Sequence, residues 1–356
     1  MTTTDVDEAK VEEFVGKVLG DMSGMMVSKL ATIGDALGLW KDLAANGPAT
    51  SAELASRTGT AERYTREWLA GVHAAGYVDY EPATGVYTLP SYAAPVFADE
   101  GGPVFFGGML EMIEGVSPIF EELLDAFRTG GGVPQTSYNP HFWNGLSRFT
   151  SGWFENLLVP VWMPLIPEVE AKLIAGADVA DVGTGAGKAL VKLAQHYPNS
   201  RYVGYDIFPA QVELATANAK EAGVDDRVRF EVADVSKGLP EEYDVITTFD
   251  VIHDAADPAG LLRAIRAGLR PGGRYLCLDI NASHRPEENV GPLGGLFYSI
   301  SVQYCMTTSL AQGGAGLGTC GFNPHTADAM CLDAGFASVR RVEMDNPFNN
   351  LYEATV

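Results

Sequence analysis

From Ala177 onward, short apolar runs alternate with stretches whose apolar residues recur every third or fourth position, the two periods that separate strands from amphipathic helices. The runs predict strands over Ala177–Val182, Arg201–Tyr205, Val228–Val232, Tyr243–Phe249, Arg274–Asp279, Ser338–Met344 and Tyr352–Val356. Between them, Lys188–His196, Gln211–Ala222, Leu261–Leu269 and Ala327–Ala334 read as helices, with Pro271-Gly272-Gly273 as a turn into the fifth strand. Alternation of this kind predicts an α/β fold with a doubly wound, mostly parallel sheet.

The pattern before Ala177 is different. Met22–Leu43 has helical spacing and ends at the breaker Asn46-Gly47-Pro48. Thr50–Thr58 and Ala61–Ala75 read as two helices around Gly59-Thr60, with Thr50 and Glu53 as a capping box. Strand-like runs Tyr77–Tyr80 and Val86–Leu89 follow, joined through Gly85. Helix, turn, helix and two short strands is the order of a winged helix. Pro103–Phe127 is helical with breaks at Gly115 and Pro118, and the glycines at 130–132 open a loop carrying Tyr138, His141, Phe142 and Trp143. These aromatics, with Phe149, Trp153 and Phe154, suit either a core or a substrate pocket. The chain therefore divides into a winged-helix-like part (1–100), a helical connector (101–160) and an α/β domain (161–356).

Charge narrows the partners. The 356 residues carry 24 basic against 46 acidic side chains, a formal charge of -22. Such a field disfavours nucleic acid and anionic membranes. Within the winged-helix segment, Lys29, Lys41, Arg57, Arg63 and Arg66 are outnumbered by Asp35, Asp42, Glu53, Glu62, Glu67, Asp79 and Glu81. DNA binding is therefore disfavoured and a packing or dimerisation role preferred. The start, Met1–Lys10, lacks a basic segment leading into an apolar one, no apolar run reaches the roughly 18 residues of a membrane span, and the four cysteines form no C-x-x-C pair. A cytoplasmic location is the expectation.

Asp181–Gly187 reads D-V-G-T-G-A-G between a strand and a helix. A dinucleotide fingerprint needs G-x-G-x-x-G, but the third glycine position is Lys188. The loop resembles motif I of the class I S-adenosylmethionine-dependent methyltransferases, which wraps the amino-acid part of the cofactor. Asp181 would repel a pyrophosphate and suit an ammonium or sulfonium. An acid closing the second parallel strand can accept both hydroxyls of a ribose, which makes Asp206 the ribose ligand and Ile207 its adenine-side neighbour. The resemblance further implies that Asp234, with Val235, holds the adenine amino group, and that Phe249 and Asp250 border the cofactor. Gly183, Gly185 and Gly187 complete the set. The turn L-R-P-G-G-R-Y-L at 269–276 is similar to that family too. The implied fold is a Rossmann-like domain with a seven-stranded, mostly parallel sheet, its last strand reversed. Val27–Ala98 resembles the N-terminal domain of the small-molecule O-methyltransferases, which mediates dimerisation and helps close the active site.

Phe249–Pro258 reads F-D-V-I-H-D-A-A-D-P and resembles the H-D-W-x-D segment of those O-methyltransferases, with Ala255 in place of the tryptophan. The resemblance makes His253 the general base for the acceptor hydroxyl, a role that suits an imidazole near neutral pH. Asp254 or Asp257 could orient the ring. A backbone-capping role for His253 stays open, as does a metal held by His253 and Asp254 with His284 or His325, although nothing in the spacing demands one and no metal is predicted. Residues 281–322 form an insertion with a helix over Leu293–Leu310, in which Phe297, Tyr298, Tyr304 and Met306 are candidate pocket walls or packing residues, and glycines at 313–321 would let it move. Two functions follow: a cytoplasmic, homodimeric S-adenosyl-L-methionine-dependent methyltransferase acting on a small aromatic or hydroxylated metabolite, or a cofactor-sensing winged-helix regulator that has lost catalysis.

Overall fold

The computed structural model describes residues 6–356, so the first half of the polar start at Met1–Lys10 lies outside the described residues. The chain packs as two units: residues up to Gly115 together with His141–Gly152, and Val116–Pro140 together with Trp153–Val356. The segment 101–160 is thus shared between both.

In the first unit, α1 (Glu8–Ala36) is capped by the Asp7 carboxylate, which accepts the Lys10 N–H, and ends at Leu37. Gly38, at φ 70°, turns the chain into α2 (Leu39–Asn46). The single helix expected over Met22–Leu43 is therefore two, because the left-handed residue breaks the hydrogen-bond ladder. α3 (Ser51–Thr58) opens with the predicted Thr50/Glu53 capping box. α4 (Glu62–Ala74) follows, then the antiparallel wing of β1 (Asp79–Glu81) and β2 (Val86–Thr88). Trp40 and Trp68 meet edge to face at 4.6 Å in the core, and their ring N–H groups donate to the carbonyls of Ala31 and Leu30. Gly34 permits that approach, since a Cβ there would lie 2.5 Å from both indoles. α5 (Ala94–Phe97) and α6 (Gly107–Gly115) complete this part with most of α8.

The second unit contains α7 (Phe120–Thr129), the first and last residues of α8 (Pro140–Trp153), a π-helical turn at Phe154–Trp162 and α9 (Pro167–Ala175). An alternating series follows: β3 (Asp178–Val182), α10 (Lys188–His196), β4 (Arg201–Asp206), α11 (Pro209–Glu221), β5 (Val228–Val232), β6 (Tyr243–Phe249), α12 (Pro258–Ala267) and β7 (Leu269–Ile280). The insertion holds α13 (Gly291–Ile300), a π-helical turn at Ser301–Cys305 and α14 (Met306–Ala311). α15 (Pro324–Asp333), β8 (Ser338–Val342) and β9 (Asn349–Thr355) close the chain.

The sheet order is β5-β4-β3-β6-β7-β9-β8, parallel except for β9, which runs antiparallel to both neighbours. This is the predicted seven-stranded Rossmann-like sheet with a reversed last strand. The strands are apolar because helices cover both faces, with Ala180, Ile246 and Tyr205 fully buried. The strand order reverses between β3 and β6, and in open parallel sheets ligands bind at the carboxyl ends beside such a switch. One expectation shifts: Pro271–Gly273 lies within β7 as a bulge, pairing resuming at Arg274 with Val245 after Leu269 with Tyr243. Gly272 there has φ 76°.

Candidate active site

At the end of β3 the loop glycines 183, 185 and 187 adopt φ of 71°, 51° and 71°, a region that side chains resist. A Cβ on Gly183 would stand 2.6 Å from Val251, whereas one on Gly185 would meet nothing within 4 Å. Gly185 therefore borders open space. The N–H groups of Gly183 and Thr184 donate to the Tyr205 carbonyl, which lays the loop along β4. Asp206 ties the two together: one carboxylate oxygen accepts the Gly185 N–H and the other the Phe208 N–H, each at 2.9 Å. Burial pushes its carboxyl up, opposed by backbone N–H groups of Phe208, Gly185 and Ile207. The adjoining Ile207 is exposed.

Asp181 is buried and accepts the Thr247 hydroxyl at 2.7 Å. Burial raises its carboxyl to about 7, against the Thr247 and Thr184 hydrogen bonds. Asp234 accepts the N–H and hydroxyl of Ser236 and pairs with Lys237 at 2.9 Å. Those partners hold its carboxyl below the usual range. Val235 is buried in the core.

Beyond β6, Asp250 is the sole non-glycine residue at positive φ among those described, at 55°. Its carboxylate accepts the Asn349 side-chain N–H at 2.7 Å. Backbone strain of this kind collects at functional sites. Phe249 packs edge to face on Phe154 at 5.2 Å. His253 lies in a single 3-10 turn, Ile252–Asp254, and is 3% exposed. Its Nδ1 is 2.7 Å from Asp279 and its Nε2 3.3 Å from Asp254. Burial opposes charge on the ring, but the Asp279 and Asp254 carboxylates outweigh it and hold the imidazolium well above the usual range. Burial, and then the charge of Asp279, lift Asp250 to about 8.

Asp257, a candidate to orient the ring, instead caps α12 by accepting the Gly260 N–H at 2.8 Å. Pro258 at the first helical position explains why α12 starts before Leu261. Asp279 takes the orienting position, fixed by the Ile280 N–H on the oxygen that meets His253. Sequence reasoning missed it, although its place at the end of the fifth strand was a signal. Also missed was Cys305, whose sulfur accepts the Thr319 hydroxyl at 3.0 Å and whose thiol burial and the Asp254 charge push up to about 12.

Tyr304, one of the candidate walls, is buried and its hydroxyl accepts Gln135 Nε2 at 3.1 Å. Burial and the Asp254 charge raise its phenol. Phe297 is buried and Tyr298 partly exposed. Two donor sets lie within 4.8 Å: His253, Asp254 and Cys305, and Asp250, His253 and Asp279. The Cys305 thiol, pushed up to about 12, is protonated at neutral pH. His284 and His325 pair with each other, ring centroids 5.0 Å apart, and belong to neither set.

In the first unit, the basic residues of α4 are spent on its own acids, Arg63 on Glu67 and Arg66 on Glu62. Helical neighbours at this spacing neutralise each other. Among the described residues no helix is long and apolar enough to cross a membrane.

A family described as methyltransferase domain matches residues 174–297, the stretch that carries both clusters at the strand ends. Residues 174–297 are a methyltransferase domain. Ahead of this domain, residues 24–98 match the Rv2258c-like winged HTH domain. Among curated relatives, the ubiquinone biosynthesis O-methyltransferase of Methylobacterium sp. (strain 4-46) is 32% identical over 122 residues, 34% of this chain and 47% of that protein. Its counterpart in Pseudomonas fluorescens (strain SBW25) is 29% identical over 37% of this chain and 53% of that protein. The chain thus spans about half the length of the curated relatives it matches. Solved structures share the whole fold. PigF with SAH superposes with TM-score 0.75 at 21% identity, over 95% of this chain and 98% of that one. Human N-acetylserotonin methyltransferase in complex with SAM gives 0.71 at 20% identity, over 100% and 99%. At these identities the matches show a shared fold over nearly the whole chain.

Proposed function

We propose that this chain binds S-adenosyl-L-methionine and transfers its methyl group to oxygen of a small aromatic or hydroxylated metabolite, with His253 as general base. The observation that carries the reading is the His253–Asp279 contact beyond β6 and at the end of β7, in the same sheet as β3 and β4, which end in the glycine loop and Asp206. Solved neighbours named with SAH or SAM support the choice of cofactor, and relatives named O-methyltransferases support oxygen as the acceptor atom.

Three observations support this placement of the cofactor: a Cβ on Gly185 would meet nothing within 4 Å, Ile207 offers an exposed apolar surface, and Asp206 and Asp234 stand at successive strand ends. Asp181, Gly183, Gly187, Val235, Phe249 and Asp250 complete the assigned set. The cofactor supplies a methyl group on a positively charged sulfur. At the acceptor, Asp279 holds Nδ1 so that Nε2 can take the hydroxyl proton as the oxygen attacks, and Asp254 stabilises the resulting imidazolium.

Residues 1–100 act in this reading as a dimerisation domain. α1 supports it: from Glu8 through Met26 every residue is exposed, including Phe14, Leu19, Met22, Met25 and Met26, more apolar surface than a monomer keeps without purpose. Residues 101–160 contribute Gln135 and Tyr138 to the acceptor side, and residues 161–356 bind the cofactor. The location is cytoplasmic. Incubation of the protein with S-adenosylmethionine and a metabolite extract tests the function: products one methylene unit heavier, with S-adenosylhomocysteine released, are the expected result, and absence of both across extracts overturns it.

A further inference from the structure

The acceptor side of the site holds more buried hydrogen-bond acceptors than its own groups satisfy. Asp254 and Asp279 share one cationic partner, His253, and Asp250, whose carboxyl burial lifts to about 8, lies beside them. Three buried side-chain oxygens in this cluster lack an aligned hydrogen bond: Oδ1 of Asp254, which His253 Nε2 approaches only to 3.3 Å, Oδ2 of Asp279 and Oδ1 of Asn349, the residue that donates to Asp250. Asp279 is fully buried. Leaving such oxygens unpaired costs about 1–3 kcal/mol each, and more for charged ones. What would complete the cluster is a ligand that brings protons and positive charge.

A neutral hydroxyl supplies one proton and no charge. An anionic substrate would add a further negative charge to the cluster. A protonated amine supplies up to three donors and a second cation, and Asp254, partly exposed, with His253 Nε2 at 3.3 Å and the neutral Cys305 thiol as its neighbours, is the carboxylate open to it. We propose that the small-molecule acceptor carries a protonated amine close to its methyl-accepting group, and that Asp254 binds this ammonium. The inference rests on the methyltransferase reading above, and it selects among small metabolites those that are cationic at neutral pH. Burial raises the Asp254 carboxyl while His253 opposes the rise, as expected of a carboxylate still short of cationic partners.

The test uses the full chain saturated with S-adenosylhomocysteine and two matched trios of probes. One trio is tyramine, 4-ethylphenol and 4-hydroxyphenylacetate; the other is tryptamine, 3-ethylindole and indole-3-acetate. Calorimetry should rank the amine first and the acid last in at least one trio, with roughly a tenfold or larger gap between amine and neutral compound, the usual worth of a charged hydrogen bond. Asp254→Asn should erase that gap while retaining S-adenosylhomocysteine affinity, which also reports that the variant is folded. If it does not fold, the wild-type ranking decides. Neutral or acidic probes binding as well as the amines, no measurable amine binding at millimolar concentration, or a preference that survives in Asp254→Asn would each overturn the proposal. Loss of S-adenosylhomocysteine binding by the wild type would instead sink the methyltransferase reading, so the two failures are distinct.

Discussion

The two halves of the strand-end site are built in opposite ways. On the β3–β4 side, groups close in sequence and backbone N–H groups do the work: glycines at positive φ, a carboxylate capping the loop, another capping a short turn. On the β6–β7 side, side chains from distant segments meet in a buried charged network, His253 with Asp279 and the 301–305 turn with Asp254. A local, backbone-made half holds an invariant ligand well, whereas a half assembled from loops and an insertion is free to change its ligand. Cofactor binding and acceptor chemistry should therefore fail separately when mutated.

The largest separation comes from His253→Ala. Turnover should fall ~10² to 10⁴ fold, the usual contribution of a general base, while S-adenosylhomocysteine affinity by calorimetry stays within about twofold. Unchanged turnover would remove the base role. On the other half, Asp206→Ala removes the acceptor of the Gly185 and Phe208 N–H groups. It should weaken S-adenosylhomocysteine binding by roughly tenfold or more, on the scale of charged hydrogen bonds. Equal affinity would end the ribose assignment.

This contrast also governs what the sequence disclosed. The glycine loop, Asp206 and the strand order were readable because strand period, turn glycines and strand-end acids lie within a few residues of one another. Thr50 with Glu53 was readable for the same reason. The partner of His253 was not: Asp279 is 26 residues away, and its strand-end place alone does not say which side chain it meets, while Asp257, closer in sequence, is consumed by α12. The break at Gly38 was hidden because apolar spacing continues across it into Leu39, Trp40 and Leu43.

A smaller effect, in pH, sharpens the acceptor half. Asp279 and Asp254 favour the charged imidazolium of His253, so its pKa is raised and the neutral, proton-accepting ring prevails only well above the usual imidazole range near ~6.5. Turnover should therefore climb with pH on an ascending limb displaced to high pH. Asp279→Asn removes one stabilising charge, lowers the ring pKa and moves that limb to lower pH, with a reduced plateau because the ring loses its orientation. A limb that does not move would show that His253 is not the titrating base.

The smallest effect belongs to the cofactor half. Burial leaves the Asp181 carboxyl near 7, so without ligand it is about half protonated at neutral pH. If its charge attracts the α-ammonium of the cofactor, affinity for S-adenosylhomocysteine must rise by a few fold as pH passes upward through 7, since only the ionised form attracts a cation. Binding should also release a proton, visible as a heat that changes with the ionisation enthalpy of the buffer. Asp181→Asn should flatten both dependences. A His253→Ala protein should retain them, because the two halves titrate apart; if that substitution removed the pH dependence of cofactor binding as well, the charges of the two clusters would have to be treated as one coupled network, and the separation argued from their construction would not hold.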